Sequence, residues 1–273
     1  MEARNSFPNL SQLSIISAAI MMAFALTRLI AFPAQSITFS VLGVGLDFIL
    51  DFNTIITLLT VVLAAAGMDW LIQSHPQKDA YKTFWSHGRH WIVPILTTFV
   101  IGIALNTFSG EVVWWVIYGM GSLLLIAVLV SEYNIIAASH NMSHLLAAIG
   151  LTGLSFALFL LLSITVYAAD LRLVFRLPIL SVGAMMVVSR TFYLRSANWQ
   201  LIWALVISIL IGQLVIGFQY LPLNPTQTSV ILVGITYSLT SMVMGVKESR
   251  DRWSLWAEPA LMLFLMVLIN IIW

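Results

Sequence analysis

The chain has 273 residues, 60% of them hydrophobic and 8% charged, with a net charge of +1 and no cysteine. With a mean hydropathy of +0.99 it holds far more apolar side chain than a water-soluble domain can bury, so the bilayer is its solvent. Near-zero charge argues against a nucleic-acid partner, and the absence of cysteine excludes disulfides, thiolate metal sites, iron–sulfur clusters and thiol catalysis.

The first apolar run is read as a retained span rather than a signal peptide. Its n-region holds only Arg4, and Arg28 stands where a cleavage site needs small neutral residues. In all, nine apolar segments reach spanning length, which takes about 20 residues at 1.5 Å rise. They lie near 13–32, 53–73, 91–109, 112–131, 144–168, 173–193, 199–221, 228–246 and 253–273. Short turns at Ser109-Gly110-Glu111 and Ala169-Asp170-Leu171-Arg172 make spans 3–4 and 5–6 antiparallel neighbours. Nothing outside the spans is long enough for a second domain, so 1–273 reads as a single integral membrane domain.

Lysine and arginine placement sets the orientation. With the N-terminus inside, Arg4, Lys78, Lys82, Arg89, Arg190, Arg195, Lys247, Arg250 and Arg252 are cytoplasmic, and only Arg28, Arg172 and Arg176 lie outside. That segregation gives an all-α polytopic bundle of nine transmembrane helices, N-in and C-out. It implies a multi-pass protein of the cell inner membrane.

Between spans 1 and 2, residues 36–52 alternate polar and apolar around Gly43-Val44-Gly45. Period two around a glycine turn predicts a β-hairpin capping the outer face, with Phe48, Leu50 and Phe52 against the bundle. An interfacial amphipathic helix is the alternative, disfavoured by the β-branched and aromatic content. The stretch His75–His90 is the largest cytoplasmic loop, with Trp85 and Trp91 at headgroup level. Small residues recur every fourth position at Ala204, Ser208 and Gly212, and at Gly153 and Ala157. This spacing lets helices approach closely within a bundle. No internal repeat is evident, so the inverted-repeat transporter pattern lacks support.

The SITFSVLG passage, His75-Pro76, the HWIVP entry to span 3 and SRTFYLR at the end of span 6 carry a resemblance. The chain resembles an uncharacterised family of bacterial multi-pass membrane proteins with no assigned activity. The resemblance implies architecture and a bacterial origin, and it carries over no catalytic residue.

Ionisable groups gather at the inner ends of spans 2, 4, 6 and 9: Asp69, Glu132, Arg190 and Glu258, with Tyr193 nearby. Such a layer can bind a lipid headgroup, relay protons or hold an ion; alternatively the charges simply snorkel to the interface. Glu258 precedes Pro259, which predicts residues 253–257 as a short interfacial turn with a kink at Glu258-Pro259. Arg190 is its expected partner. Arg28 is expected to snorkel towards Asp47, Asp51 or Glu111.

His87 and His90 are spaced i, i+3, and His140 and His144 i, i+4, so each pair shares a helical face if helical. They are the candidate metal or pigment ligands, but no HExxH occurs and no cofactor is expected. No mid-span lysine, P-loop or GxSxG elbow is present, which disfavours an enzyme. The reading is a protein that binds or transports a lipid or small amphiphile at the cytoplasmic-leaflet layer, with Glu258, Arg190, Asp69, Glu132 and Tyr193 as ligand-binding candidates. An accessory subunit partnered by other membrane subunits, and an enzyme acting on lipid at the inner interface, are the alternatives.

Overall fold

The computed structural model describes residues 8–30, 35–41, 44–75, 84–108, 110–137, 142–249 and 251–272. Within these, only the backbone is described at 35–41, 44–50, 84–86, 137, 142–146, 252, 254, 267 and 270–272. The elements in order are α1 (Leu10–Leu29), β1 (Gln35–Val41), β2 (Val44–Leu50), α2 (Phe52–Gln73), α3 (Phe84–Thr107) and α4 (Glu111–Ala137). They are followed by α5 (Met142–Ala168), α6 (Leu173–Ser196), α7 (Leu201–Phe218), α8 (Pro225–Lys247) and α9 (Arg252–Ile272). Eight helices, α1 to α8, contain a stretch long and apolar enough to cross a membrane; in α9 the apolar described stretch is Leu255–Met266.

The chain forms two compact units, Met1–Ser139 and His140–Trp273. In the first, α2 packs on α1 and α3, and α4 packs on α1 and α3. The core is made where Ile20 and Phe24 of α1, Ala64 and Met68 of α2, and Leu125 and Leu129 of α4 meet. Ahead of α2, β1 and β2 pair antiparallel from Gln35↔Leu50 to Val41↔Val44. Phe52 is not part of that pair. It opens α2, because Asp51 caps the helix by accepting a hydrogen bond from the Thr54 amide at 2.8 Å. Phe52 does pack against the apolar core. The side chains of Phe48 and Leu50 lie outside the described residues.

In the second unit α6 packs on α5, α7 and α8, and α8 packs on α5, α7 and α9. Leu162, Leu180, Ala184, Phe192, Ile211 and Leu232 are fully buried. The α5–α6 turn passes through Asp170 at φ 47°, and α6 stops at Ala197 at φ 56°. Span 7 presses its small residues on α6. Ser208 donates to the Ser181 carbonyl at 2.6 Å, and a side chain added at Gly212 would stand 2.8 Å from Ser181 Oγ. The α5 stripe behaves differently from expectation: Gly153 and Ala157 are exposed, and nothing lies within 4 Å of where a Gly153 Cβ would be.

Several buried hydroxyls are reconciled with an apolar surrounding by bonding back along their own helices. Thr97 donates to Val93 O, Ser155 to Leu151 O, Thr191 to Val187 O and Thr236 to Leu232 O, each within 2.8 Å. A bilayer offers no water to satisfy such groups, so they must be satisfied internally.

Two boundaries depart from the sequence reading. α3 starts at Phe84, so the second half of the expected 75–90 loop is helix, and residues 76–83 lie outside the described residues. His87 and His90 find partners on neighbouring helices, which gives those polar residues a reason to be helical. In α9 residues 253–257 are helix rather than an interfacial turn, and Pro259 lies within it.

Candidate functional site

The first unit carries two polar clusters, one at each end of its helices. At the end formed by the C-terminus of α2, the start of α3 and the end of α4, histidines and carboxylates pair. His87 Nδ1 lies 2.6 Å from Asp69 Oδ1, and Gln73 Nε2 donates to Asp69 Oδ2 at 2.6 Å. One turn further into α3, His90 Nδ1 lies 2.9 Å from Glu132 Oε2. Both side chains of this second pair are 0% exposed, whereas His87 and Asp69 are 20% and 26% exposed. With each carboxylate ionised, the ring nitrogen is the donor.

Beside these pairs His75, just past α2, is buried and sets its ring edge-on to Tyr133 at 4.7 Å. Burial lowers its pKa below the ordinary histidine value. Pro94, four residues after His90, supplies no amide to the His90 carbonyl, so the α3 ladder is interrupted at this turn. Among the described residues, no three histidine or carboxylate side chains converge as a metal ion would require. His140 lies outside the described residues, as does the side chain of His144.

At the opposite end of the same four helices is a cavity of about 220 Å³. Arg28 of α1, Asn53 and Thr57 of α2, Asn106 of α3 and Trp114 of α4 line it, with Phe24 on its apolar side. Asn53 Nδ2 donates to Asn106 Oδ1 at 3.1 Å. The Arg28 guanidinium stands 5.8 Å from the centre of the Trp114 ring. That indole is stacked on Tyr118 at 5.2 Å, and the Tyr118 hydroxyl donates to Met21 O at 3.1 Å. Arg28 therefore faces an aromatic wall. Of its expected acidic partners, Asp51 is engaged in capping α2, Glu111 is exposed in the first turn of α4, and the Asp47 side chain lies outside the described residues. Gly102 leaves part of the space, since any Cβ there would run into Thr57.

In the second unit Glu258 accepts a 2.6 Å hydrogen bond from the Tyr237 hydroxyl of α8, and Phe156 meets the Tyr237 ring edge-on at 5.2 Å. Ser238 donates to the Pro259 carbonyl at 3.2 Å, so two side chains of α8 grip the proline turn of α9. Arg190 is fully buried with its guanidinium 5.3 Å from the Tyr193 ring centre. The sequence reading missed Tyr237, Gln73 and the cavity. A tyrosine in mid-span was the only available signal for Tyr237, and it has no spacing relation to Glu258.

Eight helices long and apolar enough to span a bilayer point to a membrane-embedded, predominantly helical protein. Over residues 32–273 the chain matches the family described as protein of unknown function (DUF5656), and it belongs to that family. No curated protein and no solved structure matches it.

Proposed function

We propose that this is a non-enzymatic membrane protein that binds or carries a lipid or small amphiphile, and that the cavity among α1–α4 receives it. The observation that carries this reading is the lining itself. A cation, two carboxamides and two hydroxyls converge with an indole and a phenylalanine, the mix that holds a polar or anionic head while sheltering apolar chain. The carboxylates Asp69, Glu132 and Glu258 are less suited to a headgroup, because each already holds a neighbouring side chain. In this reading α9 is the ninth span, the N-terminus is cytoplasmic in a bacterial inner membrane, and the strand pair lies at the outer face beside the cavity end. Native mass spectrometry of the protein released from mild detergent tests it. Arg28→Ala is expected to strip a co-purifying amphiphile that the wild type retains. Equal occupancy in wild type, Arg28→Ala and Asn106→Leu would remove the proposal.

A second reading, an accessory subunit of a larger membrane complex, is favoured by the exposed small residues Gly150, Gly153 and Ala157 on α5. Small residues at this spacing suit close approach of a partner helix. Gentle extraction yielding the chain without any stoichiometric partner would count against it.

A further inference from the structure

The His–carboxylate end of the first unit is not used by the cavity, and its chemistry points elsewhere. Two pairs of the same kind sit one helical turn apart on α3, where side chains three residues apart are neighbours at about 5–6 Å between Cβ atoms. One pair, Asp69–His87, is partly open; the other, His90–Glu132, is sealed. A pair kept only for packing has no need of this gradient, and a buried ion pair is commonly no more stable than well-packed apolar residues of its volume. Ionisable groups inside a membrane bundle are functional by default.

We propose that these two pairs form a proton relay, in which Asp69–His87 takes a proton from the aqueous end and His90–Glu132 is the buried proton-binding site. The chemistry of the sealed pair supports this. Empty, it is a neutral imidazole whose Nδ1–H bonds to a carboxylate, so the pair itself carries one negative charge. Loaded with one further proton, it is net neutral, either as imidazolium with carboxylate or as imidazole with carboxylic acid. The proton moves between those two forms across 2.9 Å without changing the net charge of the low-dielectric interior. An arginine–carboxylate pair has no such second form, because guanidinium does not give up its proton.

Uptake adds one proton to Asp69–His87, and transfer passes it to His90–Glu132 while the first pair returns to its starting state. Only N–H and O–H bonds form and break, and no electron moves. Among the described residues, the titratable groups at this end are Asp69 and His75 from α2 and its exit, His87, Arg89 and His90 from α3, and Glu132 and Tyr133 from α4. α1 contributes no titratable side chain here among the described residues. His75 sets its ring edge-on to Tyr133 at this end.

The test uses the full chain in nanodiscs with nitrogen-15 in its histidines, the His90 signal being assigned by its loss in His90→Asn. In the wild type, His90 carries a proton on Nδ1 that exchanges with solvent. Asp69→Asn, which alters only the partly exposed pair, is expected to slow that exchange by on the order of a hundredfold, the scale of losing one acid–base group. Glu132→Gln, which removes the carboxylate facing Nδ1, is expected to change the His90 nitrogen signals. An exchange rate unchanged by Asp69→Asn, or a His90 spectrum unchanged by Glu132→Gln, would overturn the relay. If Glu132→Gln does not fold, the Asp69→Asn comparison decides alone. Neither variant touches the cavity, so co-purified amphiphile is expected to remain in both, which separates this test from that of the binding site.

Discussion

Glu132 and His90 offer the sharpest energetic test, because both side chains are 0% exposed and 2.9 Å apart. Breaking a buried charged pair by removing one member costs about 3–5 kcal/mol when the survivor must stay charged. His90 need not stay charged. In Glu132→Leu it can revert to neutral imidazole, so the cost falls towards that of one poorly satisfied buried polar group, about 2 kcal/mol. His90→Leu is worse, about 3 kcal/mol, since the stranded carboxylate must either remain charged or take a proton. Replacing both by leucine leaves neither member of the pair stranded and is expected to cost about 1 kcal/mol or less. The double variant should therefore be more stable than the Glu132→Leu single. Reversible unfolding of the purified protein in mixed micles of mild detergent and increasing dodecyl sulfate measures all four forms. The Asp69–His87 pair serves as internal control: about a fifth to a quarter of each side chain is exposed, so removing either partner should cost under about 1 kcal/mol. If the effects of Glu132→Leu and His90→Leu simply add in the double variant, the two groups do not act as one buried unit, and the reasoning fails.

Three further outcomes follow from the same structure. Tyr237→Phe removes the 2.6 Å hydrogen bond to Glu258 and should destabilise by about 1 kcal/mol in the same unfolding assay, the scale of one intramolecular hydrogen bond. Gly212→Ala, which sets a methyl 2.8 Å from Ser181 Oγ, should cost about 1–3 kcal/mol, while Gly153→Ala, with open space around it, should stay within about 0.5 kcal/mol of wild type. Stability measured against pH should respond to His75. Its folded pKa is depressed by burial, so the unfolded chain binds more protons, and stability is lost as pH falls through and below the ordinary histidine value of about 6.5. His75→Gln should lose less stability than wild type over that acid window, and equal slopes would contradict the burial argument.

The helices were legible because apolar runs of spanning length are a one-dimensional signal. The observed α2, α5, α6, α8 and α9 begin and end within a few residues of where hydropathy ends. α3 escaped that signal. Its first turns are polar, and they are helical in a structure that places His87 beside Asp69, 18 residues away, and His90 beside Glu132, 42 residues away. Asp69, Glu132, His87 and His90 were all recognisable as candidates, yet the carboxylates and the imidazoles looked like separate sets, because no spacing along one helix joins them. Phe52 was assigned to a strand by its alternation, and the capping bond from Asp51 moved it to a helix start. The cavity was least legible. Arg28, Asn53, Asn106 and Trp114 come from four helix ends, and only their packing shows that they face one space. Arg28 looked like a snorkelling charge because it lies one turn from the outer end of the first span.

The central claim is that the cavity of the first unit holds the polar head of an amphiphile, and a density map of the protein in nanodiscs of native lipid tests it most directly. The account predicts elongated density in the cavity with its head against Arg28 and the Asn53–Asn106 pair and its chain leading away past Phe24, absent from a map of Arg28→Ala. A wild-type cavity closed by side chains, or density unchanged in Arg28→Ala, would contradict it.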